Sequence, residues 1–138
     1  MLHHWLPKLK ENAALFFGNP DALMLPHAVD DRCQVIGNFW QGTIDQACTA
    51  WMAQIAWQHY RHTMDRSILE KTAWPLLVGA FEGFWAMTEE NGGRFSLPVS
   101  VSAEFPGWGR NASFQLAAFR MTAELLEKAS GILDKPAD

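Results

Sequence analysis

Apolar residues recur at three- and four-residue steps in four separate stretches, and only one of the three connections between them is short. Leu2, Leu6, Leu9, Ala13 and Phe16 predict a first helix over about Trp5 to Phe17, with Pro7 in its opening turn and Gly18-Asn19-Pro20 as its stop. Ile44, Ala47, Cys48, Trp51, Met52, Ile55 and Tyr60 predict a second, from about Ile44 to Thr63. A turn at His62-Thr63-Met64-Asp65 follows, and Asp65 is placed to cap a third helix carrying Ile68, Leu69, Ala73, Leu76, Leu77, Ala80, Phe81, Phe84 and Trp85. Pro75 must kink or restart that helix, and Asn91-Gly92-Gly93 ends it. Asn111 or Ser113 caps a fourth, with Phe114, Ala118, Met121, Leu125 and Leu126 on one face.

The expected architecture is therefore all-α, with four helices arranged as two antiparallel hairpins. The two long connections, 18–43 and 91–110, then fall at one end and the tight turn at the other. Loops of this length in a compact domain are usually functional, so any chemistry is expected there. The stretch Val99–Ser102 alternates apolar and small polar residues, which admits a short extended piece.

The 138 residues suit a single domain over 1–138, with 131–138 as a frayed tail. Hydrophobic residues make up 49% and charged residues 19%, a balance that excludes disorder. No apolar run approaches the ~18 residues of a membrane span, and the N-terminus lacks a signal-peptide pattern. The chain is expected to be soluble and, by default, cytoplasmic. A net charge of −4 without a basic cluster sets nucleic acid aside. Cys33 and Cys48 fit buried reduced thiols better than a disulfide or a zinc site. His59 and His62 share a helix face without a carboxylate partner. Imidazolium capping of the helix end fits them better than metal ligation, and no metal or cofactor is expected.

Seven tryptophans stand out. Five lie on helices at core spacing, while Trp40 and Trp108 lie in the long loops, where flat amphipathic rings suit a sugar cleft. Glu104 sits among small and apolar residues in Val99-Ser100-Val101-Ser102-Ala103-Glu104-Phe105-Pro106. A carboxyl desolvated there would have a raised pKa, as a general acid requires near neutral pH.

Three stretches resemble the six-hairpin glycosidases, and most closely the inverting α-L-fucosidases of glycoside hydrolase family 95. Leu25-Pro26-His27-Ala28-Val29-Asp30 resembles the family's His-His-Asn-Thr-Asp loop. Ala53–Asp65, with Ala73-Trp74-Pro75-Leu76-Leu77 and Phe81-Glu82-Gly83-Phe84, resembles a helix ending in Trp-x-His-Tyr, a Thr-Gly-Asp turn and a Tyr-Pro-Leu helix. Val99–Glu104 resembles the Ser-Pro-Ser-x-Ser-Pro-Glu-Asn loop, with Ala103 and Phe105 departing from it.

The resemblance implies a catalytic acid at Glu104 and a sugar site lined by His27, Asp30, Trp40 and Trp108. It also implies that four helices are about one third of an (α/α)6 toroid. No match to the hairpins bearing the catalytic base occurs, so the isolated piece is expected to be inactive. Its open helix edges are expected to drive homo-oligomerisation. The implied partner is a fucoside-type carbohydrate. The alternative is a non-catalytic helical binding or self-assembly module related to those glycosidases.

Overall fold

The computed structural model describes residues 2–34, 36–37, 47–101 and 107–136. Helix α1 spans Leu2–Phe17, three residues earlier than periodicity suggests. Helix α2 spans Cys48–Thr63 and closes on Met64 in the left-handed region (φ 54), whose N–H donates to the Tyr60 carbonyl at 2.7 Å. Asp65 then caps the next helix as expected, its carboxylate accepting from the Ser67 N–H at 2.8 Å.

Helix α3 is continuous but built in three segments. They are Arg66–Ile68, a π-helical turn Leu69–Ala73, and Trp74–Met87. The Trp74 N–H reaches back five residues to the Leu69 carbonyl. Pro75 follows at once, lacking the N–H that an α ladder needs and bulky against the turn before it. The widened turn accommodates the proline without ending the helix. Helix α4 spans Ser113–Leu133, so it continues past Gly131, and Leu133 is buried.

The chain is mostly helical but not wholly so. The third helix stops at Met87, before Asn91. Strand β1 (Glu89–Asn91) instead pairs antiparallel with β2 (Arg94–Ser96). Gly92 and Gly93 both have positive φ (60° and 77°), the geometry of a two-residue primed turn that only residues without Cβ adopt freely. The extended piece expected near Val99 is present. Strand β3 (Val99–Val101) pairs antiparallel with β4 (Trp108–Arg110), in the register Val99↔Arg110, Ser100↔Gly109 and Val101↔Trp108. Neither Asn111 nor Ser113 caps α4 through its side chain. Ala112 occupies that position, and Asn111 accepts from the Leu97 N–H at 2.7 Å instead.

Successive helices alternate in direction, but α1 packs chiefly on α3 rather than forming a hairpin with α2. Helix α3 is the central element, touching each of the other three. The ends of α1 and α3 lie together, where Asn19 Nδ2 donates to Glu82 Oε2 at 3.0 Å. The start of α3 meets the end of α4, with Arg66 donating to the Ile132 carbonyl at 3.0 Å. Both long connections therefore leave from one end, as the helix order predicts.

Helix α2 turns a different face inward from the one its bulky stripe suggests. Thr49, Ala50, Ala53, Ala56, Trp57 and Tyr60 are buried, whereas Trp51 and Ile55 are exposed. Small side chains at 50, 53 and 56 allow close approach to α3 and α4, so the alanine face wins the interior. Trp85 is likewise half-exposed rather than in the core. Cys33 is a free, completely buried thiol, as expected, whereas Cys48 is only half-buried.

Candidate functional site

The first connection is tied down along its length. Leu23 donates to the Gly79 carbonyl at 2.9 Å and Met24 to the Leu9 carbonyl at 3.1 Å. Leu25 N–H donates to Thr49 Oγ1 at 2.9 Å, and Trp5 Nε1 to the Asp31 carbonyl at 3.0 Å. Helices α1, α2 and α3 thus fix the segment that carries His27 and Asp30.

Asp30 is committed to its own loop. Its Oδ1 accepts from the backbone N–H groups of Arg32 and Gln34, at 2.9 and 2.8 Å, and its Oδ2 lies 3.6 Å from Arg32 Nε. The Gln34 N–H above all, then the Arg32 N–H and guanidinium, hold the carboxyl below the usual aspartate range against a smaller opposing effect of burial. Asp30 is therefore a carboxylate at neutral pH and organises the turn before Cys33. His27 is half-buried three residues upstream.

The second connection is a pair of linked hairpins. Asn111 joins them, accepting from Leu97 N–H while its own N–H donates to the Leu97 carbonyl at 3.4 Å. The Arg110 guanidinium pairs with the Glu89 carboxylate, bridging β4 to β1. Trp108, on β4, is 61% exposed and lies opposite buried Val101 in the ladder. Ser100, one of the loop's matching serines, is also buried.

The structure thus positions three of the five expected site residues: His27 and Asp30 on the first connection and Trp108 on the second. Glu104 and Trp40 lie outside the described residues. A groove of about 350 Å³ between α1 and α3, lined by Leu6, Lys10, Leu23, Trp74, Pro75 and Glu82, contains none of the five. Among the described residues no group of three or more His, Cys, Asp or Glu side chains is placed to hold a metal. None of the described helices is long and apolar enough to cross a membrane.

Two features escape sequence reasoning. Gln115, in the first turn of α4, is 2% exposed, and its Oε1 has no hydrogen-bond partner among the described residues. A lone Gln in an amphipathic helix gives no signal of burial. Trp85 and Phe95 form an exposed ring pair with centroids 5.5 Å apart. The Asn-Gly-Gly turn was the available clue to the hairpin that places Phe95.

Comparison with known proteins agrees with the motif resemblance. The sequence profile of the glycosyl hydrolase family 95 catalytic domain matches residues 1–129. The chain is also 27% identical over 90 residues to "Probable alpha-fucosidase A" of Aspergillus niger, a match covering 62% of this chain. It spans only 11% of that relative's length. With nearly its whole length matched, the chain belongs to the glycosyl hydrolase family 95 catalytic-domain family.

Proposed function

We propose that this chain is part of an inverting, α-L-fucosidase-like catalytic domain, with Glu104 as its general acid. The observation that carries the reading is the β3–β4 ladder. It pairs Val101 with Trp108, and the connector between those two residues contains Glu104. Covalent reach alone keeps the Glu104 Cα within roughly 11 Å of the Val101 Cα. An exposed tryptophan and a carboxyl on one short hairpin suit a sugar ring and the bond to be broken.

In this mechanism Glu104 begins protonated and gives its proton to the glycosidic oxygen as the C1–O bond breaks. A water on the opposite face of the ring attacks C1, and a base removes its proton, so the configuration at C1 inverts. That base is supplied by further hairpins outside this chain, and the isolated chain is inactive. Trp108 and Trp40 offer ring faces to the sugar, while His27 and Asp30 contribute polar contacts from the first connection. The fixed turn around Asp30 supports a positioning role for that loop.

The remaining helices of an (α/α)6 ring would cover faces that this chain leaves open, where Leu15 is 84% exposed and Trp51 and Ile55 stand outward. Those same faces favour a second reading, self-association of the chain as a helical assembly module. Size-exclusion chromatography with light scattering separates the two, since a clean monomer removes the second. The acid assignment is tested by Glu104→Gln in a form of the protein that hydrolyses an α-L-fucosyl disaccharide, whose alcohol leaving group needs the proton. The variant is expected to lose at least about a hundredfold in kcat, in line with general acid catalysis. Unchanged hydrolysis would sink the assignment.

A further inference from the structure

Three aromatic rings run from α3 onto the β1–β2 hairpin. Phe81 and Trp85, one helical turn apart, are nearly parallel (7°) with centroids 6.3 Å apart. Trp85 and Phe95 follow at 5.5 Å, tilted by 41°. Trp85 is 50% and Phe95 57% exposed, so the run ends in two rings open to solvent. Glu90 lies directly across the ladder from Phe95. Residues directly opposite in an antiparallel pair share a face, with Cβ atoms about 5 Å apart. The exposed Glu90 carboxylate therefore borders the rings, whereas Glu89, the next residue, is on the other face and pairs with Arg110.

We propose that Trp85, Phe95 and Glu90, on α3 and the β1–β2 hairpin, form a binding platform for a neutral pyranose ring. The proposal rests on the carbohydrate class assigned above. A pyranose has a C–H face that lies on aromatic rings and hydroxyls that donate to a carboxylate at the edge. An apolar helix laid over the same rings would have to strip water from Glu90 without offering it a donor, which is unfavourable. The mixed surface thus selects a hydroxylated ligand over an apolar protein face. Its place on the hairpin immediately before β3 suits a second sugar unit of an oligosaccharide.

The test is titration of the full chain with methyl α-L-fucoside and with methyl β-D-galactoside, following the tryptophan indole N–H resonances by NMR. The resonance that disappears in Trp85→Ala identifies Trp85. That signal is expected to shift saturably at millimolar glycoside. Phe95→Ala and Glu90→Gln should each weaken the response, by roughly three- to tenfold for the lost ring. Trp51→Ala, at an exposed tryptophan on α2, should leave it unchanged. The proposal is overturned if neither glycoside moves the Trp85 signal. It is also overturned if Phe95→Ala and Glu90→Gln respond like the parent, or if Trp85→Ala only converts an assembled chain to monomer. Glu104→Gln should keep the Trp85 response, so failure of the acid assignment and failure of the platform are read separately.

Discussion

Leu23 fills the space that a side chain at Gly79 would need. A Cβ at Gly79 would come within 2.1 Å of Leu23 Cγ, and the Leu23 N–H donates to the Gly79 carbonyl at 2.9 Å. Together with the Asn19–Glu82 hydrogen bond, this contact seats the first connection on the central helix.

Gly79→Ala is therefore expected to destabilise the fold by about 1–3 kcal/mol, the usual cost of overpacking. Leu23→Ala leaves a cavity instead and costs about 2–5 kcal/mol. Combined, the two should cost less than their sum, because truncating Leu23 removes its Cγ and Cδ1, the two closest approaches, and leaves only the Cβ at 2.7 Å to give way. Denaturant unfolding of the four proteins checks this, and strict additivity would contradict the contact.

Gln115→Met should raise stability by about 1 kcal/mol, since it replaces a buried acceptor that is unpaired among the described residues with an apolar side chain of similar shape. The measurement is thermal unfolding. A lower Tm would mean that Oε1 has a hydrogen-bond donor in solution.

Acid should weaken the fold in a defined direction. The Ser67 hydroxyl and N–H hold Asp65 below the ordinary aspartate value of 3.8, and the Gln34 N–H does the same for Asp30. A depressed folded pKa contributes stability that is complete above the unfolded value and is lost as pH falls through the folded one. Tm should therefore be level above pH 3.8 on account of these groups and fall below it. Asp65→Asn, which has no carboxyl proton to gain, should show a shallower acid limb; an identical limb would refute the assignment.

Burial first, then the negative charge of Asp30, push the Cys33 thiol above its ordinary value of 9.0. In a Cys48→Ser background the remaining thiol should resist Ellman's reagent at neutral pH until the protein unfolds. Prompt reaction in the folded state would show that the turn around Asp30 opens.

The helices, the Asp65 cap and the single tight turn were legible because each rests on local chemistry: periodicity, a capping oxygen, a short polar link. What was misjudged depends on competition between faces. Helix α2 has a bulky stripe through Trp51 and Ile55 and a small one through Ala50, Ala53 and Ala56, and only the closeness of α3 and α4 decides that the small one faces in. Trp85 follows Phe81 by one turn on a face wider than its neighbours cover, so periodicity alone assigns it to the core. The sequence of the hairpin at Asn91–Arg94 is equally that of a helix end, because the same glycines serve both. Of the proposed site, Glu104 rests on the motif alone and, like Trp40, lies outside the described residues. The commitment of Asp30 to its own turn depends on backbone geometry that residue identity does not encode.

The π turn at Leu69–Ala73 also sets a phase. One extra residue there rotates everything downstream by about 100° relative to an uninterrupted α-helix. Arg66, upstream, reaches Ile132, while Gly79, downstream, receives Leu23. Deleting one residue between 69 and 73 would remove the extra residue and the widened turn together and keep Gly79 facing Leu23, whereas a regular ladder imposed on the unchanged sequence would turn Gly79 away from it. The irregular turn is thus a timing element: it lets one helix keep two appointments, with α4 at its start and with the first loop near its end, that a regular helix of the same sequence could not keep together.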